Sequence, residues 1–173
     1  MSPMTARAVS MALLGGVVAV LFQTQGLLSW AGFIAWGGFL AAGGDTTALK
    51  KTIVGNIFGA FLAWSALMMM FQVYVAPDSW LWMPRAGIAM AVTLLVLSLA
   101  AKVELLSHIP AGLIGYAAVF GAFSIPLRPD LTGLERLTGL HLYNPFIQVP
   151  ISMVAGAVVG LIAVKLAGAL SKK

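Results

Sequence analysis

Long apolar stretches, separated only by short polar turns, fill almost the whole of this chain. Charged side chains make up 9% of its 173 residues, whereas soluble domains carry about 25%. A chain with so few charges cannot cover a water-facing surface, and at roughly 20 residues for each crossing it has room for six transmembrane spans. The predicted spans are 8–26, 28–44, 52–75, 85–103, 105–126 and 146–170.

Each predicted span is expected to be an α-helix, because backbone polar groups in lipid must be hydrogen-bonded within the segment. The turns are short, so neighbouring helices run antiparallel, and no stretch is left for a soluble catalytic module. No convincing small-residue cleavage site follows the first apolar run, which is therefore interpreted as a retained helix rather than a signal peptide. The chain is predicted to be an all-α integral membrane protein with one transmembrane domain, residues 1–173.

The first three spans recur, as an imperfect copy, in the last three. Residues 7–44 and 85–122 align without a gap, although chance identity competes because both segments are rich in Gly, Ala, Leu and Val. Three crossings per unit is an odd number, so the second unit enters the membrane from the opposite side, as in many transporters and channels. We therefore predict two inverted three-helix repeats, 7–75 and 85–170. The identical pairs include Arg7/Arg85, Leu28/Leu106, Ser29/Ser107, Gly37/Gly115 and Gly43/Gly121.

The Lys and Arg residues in the short loops predict the orientation, because such residues accumulate on the cytoplasmic side. With a cytoplasmic N-terminus, seven of the ten basic residues lie inside, and both termini share that side. The seven inner residues are Arg7, Lys50, Lys51, Lys102, Lys165, Lys172 and Lys173. The three outer residues are Arg85, Arg128 and Arg136.

The polar residues form no recognisable catalytic or metal-binding group. The chain has no cysteine, and the predicted topology puts His108 and His141 on opposite sides of the membrane, where they cannot share a metal. The net charge of +5 is scattered, without the clustered basic face that nucleic-acid binding needs. We expect a protein that is not an enzyme, needs no cofactor and binds no nucleic acid.

Asn56 and Gln148 are polar amides inside or near the start of predicted spans. An amide in hydrocarbon is costly unless it is hydrogen-bonded. Each side chain therefore either bonds to a neighbouring helix or faces an aqueous solute pathway, and the sequence leaves both open.

Two further candidates lie beside helix interruptions. Asp45 follows the Gly43-Gly44 pair that ends the second span, and His108 stands two residues before Pro110 at the start of the fifth. Interrupted helices at corresponding depths in two halves point to a solute site. Ordinary helix termini are the alternative, since proline is common at a helix start.

Trp30 and Trp36 add aromatic candidates on the second span. Trp30 near the outer interface is typical of membrane anchoring. Trp36 lies deeper, where it either packs in the core or forms a hydrophobic constriction of the pathway.

The third and sixth spans each carry a pair of glycines four residues apart, Gly55/Gly59 and Gly156/Gly160. Pairs with this spacing let helix backbones approach closely. We predict close helix packing at these positions, with the third and sixth helices crossing near the molecular centre.

The long outer loop, residues 128–145, contains leucines at intervals of three residues. This spacing drifts around an ideal helix. The loop is interpreted either as an interfacial segment on the membrane or as a lid over an outer vestibule.

At Leu27–Phe33 and again at Leu105–Gly112 the chain resembles the family of small bacterial inner-membrane proteins labelled domain of unknown function 1097. The resemblance runs from about residue 8 to 170, and it implies an inner-membrane location and a size but no chemistry.

Together, these features favour a channel or facilitator for a small neutral or weakly polar solute. Charges well inside the spans would be needed for a proton relay, and none is found. Six short helices leave little room for a wide central path, so a homo-oligomer in the lipid bilayer is expected. The alternative is a non-transporting scaffold or regulatory subunit of a partner membrane protein.

Overall fold

The computed structural model of the chain describes residues 1–71, 80–125 and 129–171, and the described residues contain helices but no strand. A short 3-10 helix, Glu104–Leu106, precedes α5. The predicted span ends at 72–75 and 126, and the basic residues Arg128, Lys172 and Lys173, lie outside the described residues. The α-helices are α1 (Pro3–Thr24), α2 (Ser29–Ala41), α3 (Thr46–Phe71), α4 (Trp82–Ala100), α5 (Ile109–Ser124), α6 (Gly133–Thr138) and α7 (Pro145–Ser171).

The ends of these helices have local causes. Ser2 caps α1, because its hydroxyl accepts a hydrogen bond from the Thr5 amide at 3.2 Å. Helix α2 ends before Gly43 and Gly44, whose φ angles of 119° and 70° belong to the left-handed region that glycine adopts readily. Pro110, in the first turn of α5, stands where a missing amide hydrogen costs nothing.

Four of the helices, α1, α3, α4 and α7, are long and apolar enough to cross a membrane. The chain is therefore a membrane-embedded, multi-pass protein. Helices α2 and α5 have only 13 and 16 residues, which is about 20 and 24 Å against a hydrocarbon core of about 30 Å. The prediction that all six stretches are long enough to cross is thus correct for four helices. Spans 28–44 and 105–126 shorten because glycines end the former and Pro110 delays the latter.

Helices α3 and α7 lie at the centre, and the other helices pack around them. Helix α5 packs mainly on α3, whereas α2 packs mainly on α7. At the periphery, α1 packs on α7 and α4 packs on α3. Direct contacts between α3 and α7 and between α2 and α5 complete the bundle. The second helix of each predicted repeat therefore packs against the third helix of the other.

Glycines bring the helix backbones together at two crossings. A methyl group at Gly59 of α3 would overlap the carbonyl oxygen of Gly112 of α5. At the other crossing, a methyl group at Gly156 of α7 would overlap the carbonyl oxygen of Gly32 of α2. The predicted close packing at the spaced glycine pairs is confirmed, but at these glycines α3 and α7 meet the two short helices and not each other.

Adding one methyl group at a crossing should separate these backbones. We expect Gly59→Ala and Gly156→Ala each to destabilise the protein by about 1–3 kcal/mol, the usual cost of overpacking. The measurement is thermal unfolding of the purified protein in detergent. Gly16→Ala on α1 is the matched control, because a methyl group there meets nothing within 4 Å and alanine favours the helix. Equal melting temperatures for Gly59→Ala and Gly16→Ala would contradict the close crossing.

Candidate functional site

Two polar side chains of α3 are buried at the centre of the bundle without a hydrogen-bond partner. Thr52 and Asn56, one helical turn apart, are 0% and 1% exposed. The Thr52 hydroxyl and both polar atoms of the Asn56 amide find no partner among the described residues. Buried polar atoms are nearly always bonded to protein or to ordered water, and leaving them unbonded costs about 1–3 kcal/mol or more. These two residues, the central polar pair, are therefore built to bond to something other than the protein.

Several other hydroxyl-bearing helix residues make a bond that Thr52 does not, although the Ser29 hydroxyl at the start of α2 is also buried without a partner among the described residues. Thr93 donates to the carbonyl four residues earlier, that of Ala89, at 2.9 Å, as helical Ser and Thr often do. The hydroxyl groups of Ser65, Ser98 and Ser124 make the same bond. The Thr52 hydroxyl does not, so it remains available to an occupant.

Helix geometry places Asn56 between two groups of helices. Gly59 faces α5 at the close crossing, while Ile53 packs against the cluster that contains Trp36 and Phe39 of α2 and Ala157 of α7. Residues three apart on an α-helix differ in direction by about 60°, so Asn56 points between these two faces. Asn56 thus lies where α2, α3, α5 and α7 meet, whereas Thr52 points within about 20° of Gly59 and therefore faces α5.

Gln148, another predicted pathway residue, has a structural role instead. Its side-chain amide donates to the Gly26 carbonyl at 2.7 Å. Ser152, one turn later, accepts from the Leu28 amide at 2.9 Å and donates to the Gln148 carbonyl at 2.7 Å. Together they fix the α1–α2 turn to α7.

Asp45 and His108 lie at the ends of helices. The exposed Asp45 caps α3, because its carboxylate accepts from the Ala48 amide at 2.7 Å. His108, half-buried, is the residue before α5. Asn56 lies about 16 Å further along α3 than Asp45. Trp30 is half-buried and packs on the main core, with its ring 3.3 Å from a methyl group placed at Gly121.

A cavity of about 510 Å³ opens between the start of α1 and the ends of α2 and α7. Its wall includes Arg7 and Met11 of α1 and Ala163 of α7. Of the six predicted pathway residues, only Trp36 lines this inner cavity. The contribution of α1 was missed, although the spacing of Pro3, Arg7 and Met11 at four-residue intervals puts them on one helix face. Thr52 was also missed as a functional residue, despite standing one turn from Asn56.

The outer segment is docked into the protein. Arg136, which is buried, donates to the Phe123 and Ala122 carbonyls at the end of α5 at 2.9 and 3.0 Å. The Leu137 side chain is fully buried, and its carbonyl accepts from the Trp64 indole at 2.8 Å. A Thr132–Glu135 capping box starts α6. The segment is therefore bonded to α3 and α5, and whether it acts as a lid stays a prediction.

Removing the Arg136 guanidinium should release this segment. We expect Arg136→Gln to lower the free energy of unfolding by about 1–3 kcal/mol, because the α5 carbonyls lose charged donors, and to speed hydrogen exchange across residues 132–140. Leu140→Ala is the control, since Leu140 is 97% exposed. Unchanged exchange in Arg136→Gln would contradict the docked arrangement.

Comparison with known proteins gives one match. The family model described as "Protein of unknown function (DUF1097)" matches residues 8–168, nearly the whole chain, as the sequence resemblance predicted. No curated protein matches the chain, and no solved structure does.

Proposed function

Since the chain belongs to the DUF1097 family, whose description gives no activity, we propose its function from its own residues: a channel or facilitator for a small neutral or weakly polar solute. The observation that carries the proposal is the central polar pair, which is buried and unbonded, with Asn56 at the meeting point of four helices. The protein acts without catalysis, as a homo-oligomer in the bacterial inner membrane.

The pairwise packing of the helices supports two inverted repeats. A twofold axis that exchanges α1 with α4, α2 with α5 and α3 with α7 turns the α5–α3 contact into the α2–α7 contact. It also turns α4 on α3 into α1 on α7, and it maps the α3–α7 and α2–α5 contacts onto themselves. This is the arrangement that inverted repeats of transporters and channels produce.

The glycine crossings define the register between the repeats. The gap-free alignment sets Gly32 against Pro110, whereas the crossings make Gly32 the counterpart of Gly112, because each meets a glycine of the opposite central helix. The sequence alignment and the glycine crossings therefore differ by two residues. The link before α5 is longer because it contains the 3-10 helix, and this accounts for the difference.

Six crossings require α2 and α5 to traverse the membrane despite their length. The packing against long helices supports this, because neighbouring protein and local bilayer thinning both accommodate short hydrophobic segments. Both termini then lie in the cytoplasm, together with the α2–α3 and α4–α5 links.

Single cysteines test this topology without interference, because the chain has none of its own. We expect Lys50→Cys and Lys102→Cys to react with a membrane-impermeant thiol reagent only when the reagent can reach the cytoplasmic face of the membrane. Leu140→Cys should react in intact cells, since it lies on the outer side. If α2 and α5 failed to cross, positions 50 and 102 would be labelled from outside, and the six-span arrangement would be wrong.

The chemistry of the pair favours an uncharged solute. An amide donates and accepts hydrogen bonds, and a hydroxyl does both, so the pair can replace part of a small solute's hydration. A charged solute would need compensating charges at membrane depth. Asp45, the carboxylate that begins α3, is exposed at the helix end.

Flux across proteoliposomes tests the proposal. We expect urea, glycerol or acetamide to cross faster than in empty vesicles, and Thr52→Val and Asn56→Leu to reduce that flux at least tenfold. Thr93→Val is the matched control, because its hydroxyl already pairs with Tyr116 at 2.8 Å on another helix. Wild-type flux equal to that of empty vesicles for every solute would favour the scaffold alternative.

The same variants carry a stability signature that separates the two functions. Thr52→Val removes an unbonded hydroxyl at nearly constant volume. If Thr52 lines a pathway, the variant protein should unfold at the same temperature as the wild type or at a higher one. Ser152→Ala removes a bonded hydroxyl and should be destabilising. Loss of stability in Thr52→Val equal to that in Ser152→Ala would indicate a structural hydrogen bond and support a scaffold.

A further inference from the structure

The inner cavity has a counterpart at the outer end of the bundle, and that counterpart is filled. The start of α4 and the ends of α3 and α5 enclose Trp82, Phe71 and Phe123, with ring centroids 5.7 and 5.5 Å apart around Phe71. Gly133 of α6 packs on this cluster, since a methyl group there would lie 3.2 Å from Phe71. At the inner end no segment within residues 1–71, 80–125 and 129–171 takes this place, and a methyl group at Gly168 meets nothing within 4 Å.

The inner cavity combines apolar walls with one cationic side chain. Met11, Trp36 and Leu40 line it, and among the residues that the structure describes Arg7 is the one charged residue in its wall. The Ser10 hydroxyl donates to the Ala163 carbonyl at 2.7 Å, which fixes α1 against α7. Met11, the residue after Ser10, is exposed on the cavity wall, and Arg7 lies one turn nearer the start of α1; the described lining contains no carboxylate.

Trp36 gives the inner end of the wall an unused hydrogen-bond donor. The side chain is 4% exposed, and its indole nitrogen has no partner among the described residues. The ring edge lies close to α7, because a methyl group at Gly160 would be 2.6 Å from its Cδ1 atom. Because the protein covers this nitrogen, an occupant of the cavity would contact the Trp36 ring and not its N–H group.

We propose that the inner cavity binds an amphipathic monoanion, with its carboxylate or phosphate on Arg7 and its apolar body against Met11, Trp36 and Leu40. Arginine binds such heads through two parallel N–H donors. The volume of about 510 Å³ lies within the usual range of ligand sites, roughly 300–1,000 Å³. Pro3 to Met11 spans about 12 Å of helix, which sets the length of the body. The ligand comes from the cytoplasm or from the inner leaflet.

This site is separate from the central polar pair, so the binding proposal and the solute proposal fail independently. Neither Thr52 nor Asn56 lines the inner cavity. Binding without flux would support the anion site and contradict the pathway. Flux without binding would support the pathway and contradict the anion site.

Radiolabelled decanoate is the probe, measured by a scintillation proximity assay on the full chain in phosphatidylcholine nanodiscs, with empty nanodiscs subtracted. We expect saturable binding that Arg7→Gln weakens at least tenfold and Arg7→Lys largely retains. Gly168→Leu, which fills the cavity, should abolish it. The matched controls, expected to bind as the wild type does, are Arg85→Gln, with the same loss of charge, and Gly87→Leu, at a glycine that also faces open space.

Competition identifies the head group and the source of the ligand. Unlabelled decan-1-ol should compete at least tenfold more weakly than decanoate. Competition by phosphatidylglycerol added to the nanodiscs assigns the site to the leaflet, and its absence assigns it to free anions. Equal competition by the alcohol, or Arg7→Gln binding as well as Arg85→Gln, would overturn the proposal. Thermal unfolding and gel filtration of each variant ensure that lost binding is not lost folding.

Discussion

Close approach of helix backbones at glycine is the constraint on which this structure depends. Because Gly59 of α3 and Gly156 of α7 have no side chain, the backbones of the two short helices can reach the central helices at Gly112 of α5 and Gly32 of α2. In lipid there is little hydrophobic drive between helices, so van der Waals contact at such crossings supplies much of the association. Because the crossings bring α2 and α5 onto the centre, they also seal Thr52 and Asn56 away from the surface. The central polar pair is thus a consequence of the packing.

The two ends of the bundle differ although the helices pair as a twofold axis would pair them. At the outer end, Arg136 holds α6 against the last carbonyls of α5, and an aromatic cluster fills the space beneath. At the inner end, the corresponding space stays open beside Arg7 and Trp36. The insertion between α5 and α7 accounts for the difference, because the corresponding link between α2 and α3 is only a glycine turn. The open space and the filled space therefore lie at opposite ends of the bundle.

The sequence predicts the class and location of most elements because the bilayer imposes simple rules. Hydropathy locates α4 and α7 to within three residues but starts α1 and α3 five and six residues late, and the spaced glycines of α3 and α7 predict close helix packing. Hydropathy does not predict the lengths of α2 and α5. Within apolar runs, α2 ends before Gly43, and Pro110 lies in the first turn of α5. A gap-free alignment also misses the two-residue shift between Gly32 and Gly112, which depends on the link before α5.

Individual site residues are harder to predict, because the sequence does not tell a polar side chain that has a hydrogen-bond partner from one that has none. Gln148 and Asn56 are both buried amides, yet the former bonds to Gly26 and the latter bonds to nothing in the described residues. Asp45 caps a helix, and the Asp-Thr-Thr pattern after glycine is typical of such a cap. From the sequence Arg136 is predicted to be a charged residue of a loop, and only the docked α6 shows that it bonds to α5.

The most direct measurement is the access of water-borne ions to the central polar pair in the native membrane. Asn56→Cys is reacted with Ag⁺, which is small enough to follow water, and modification is followed by loss of later thiol labelling in the unfolded protein. A pathway through the centre predicts rapid modification of Asn56→Cys, and none of Ile57→Cys on the lipid-facing side of the same helix. Protection of the cysteine at position 56 equal to that at position 57 would contradict the account.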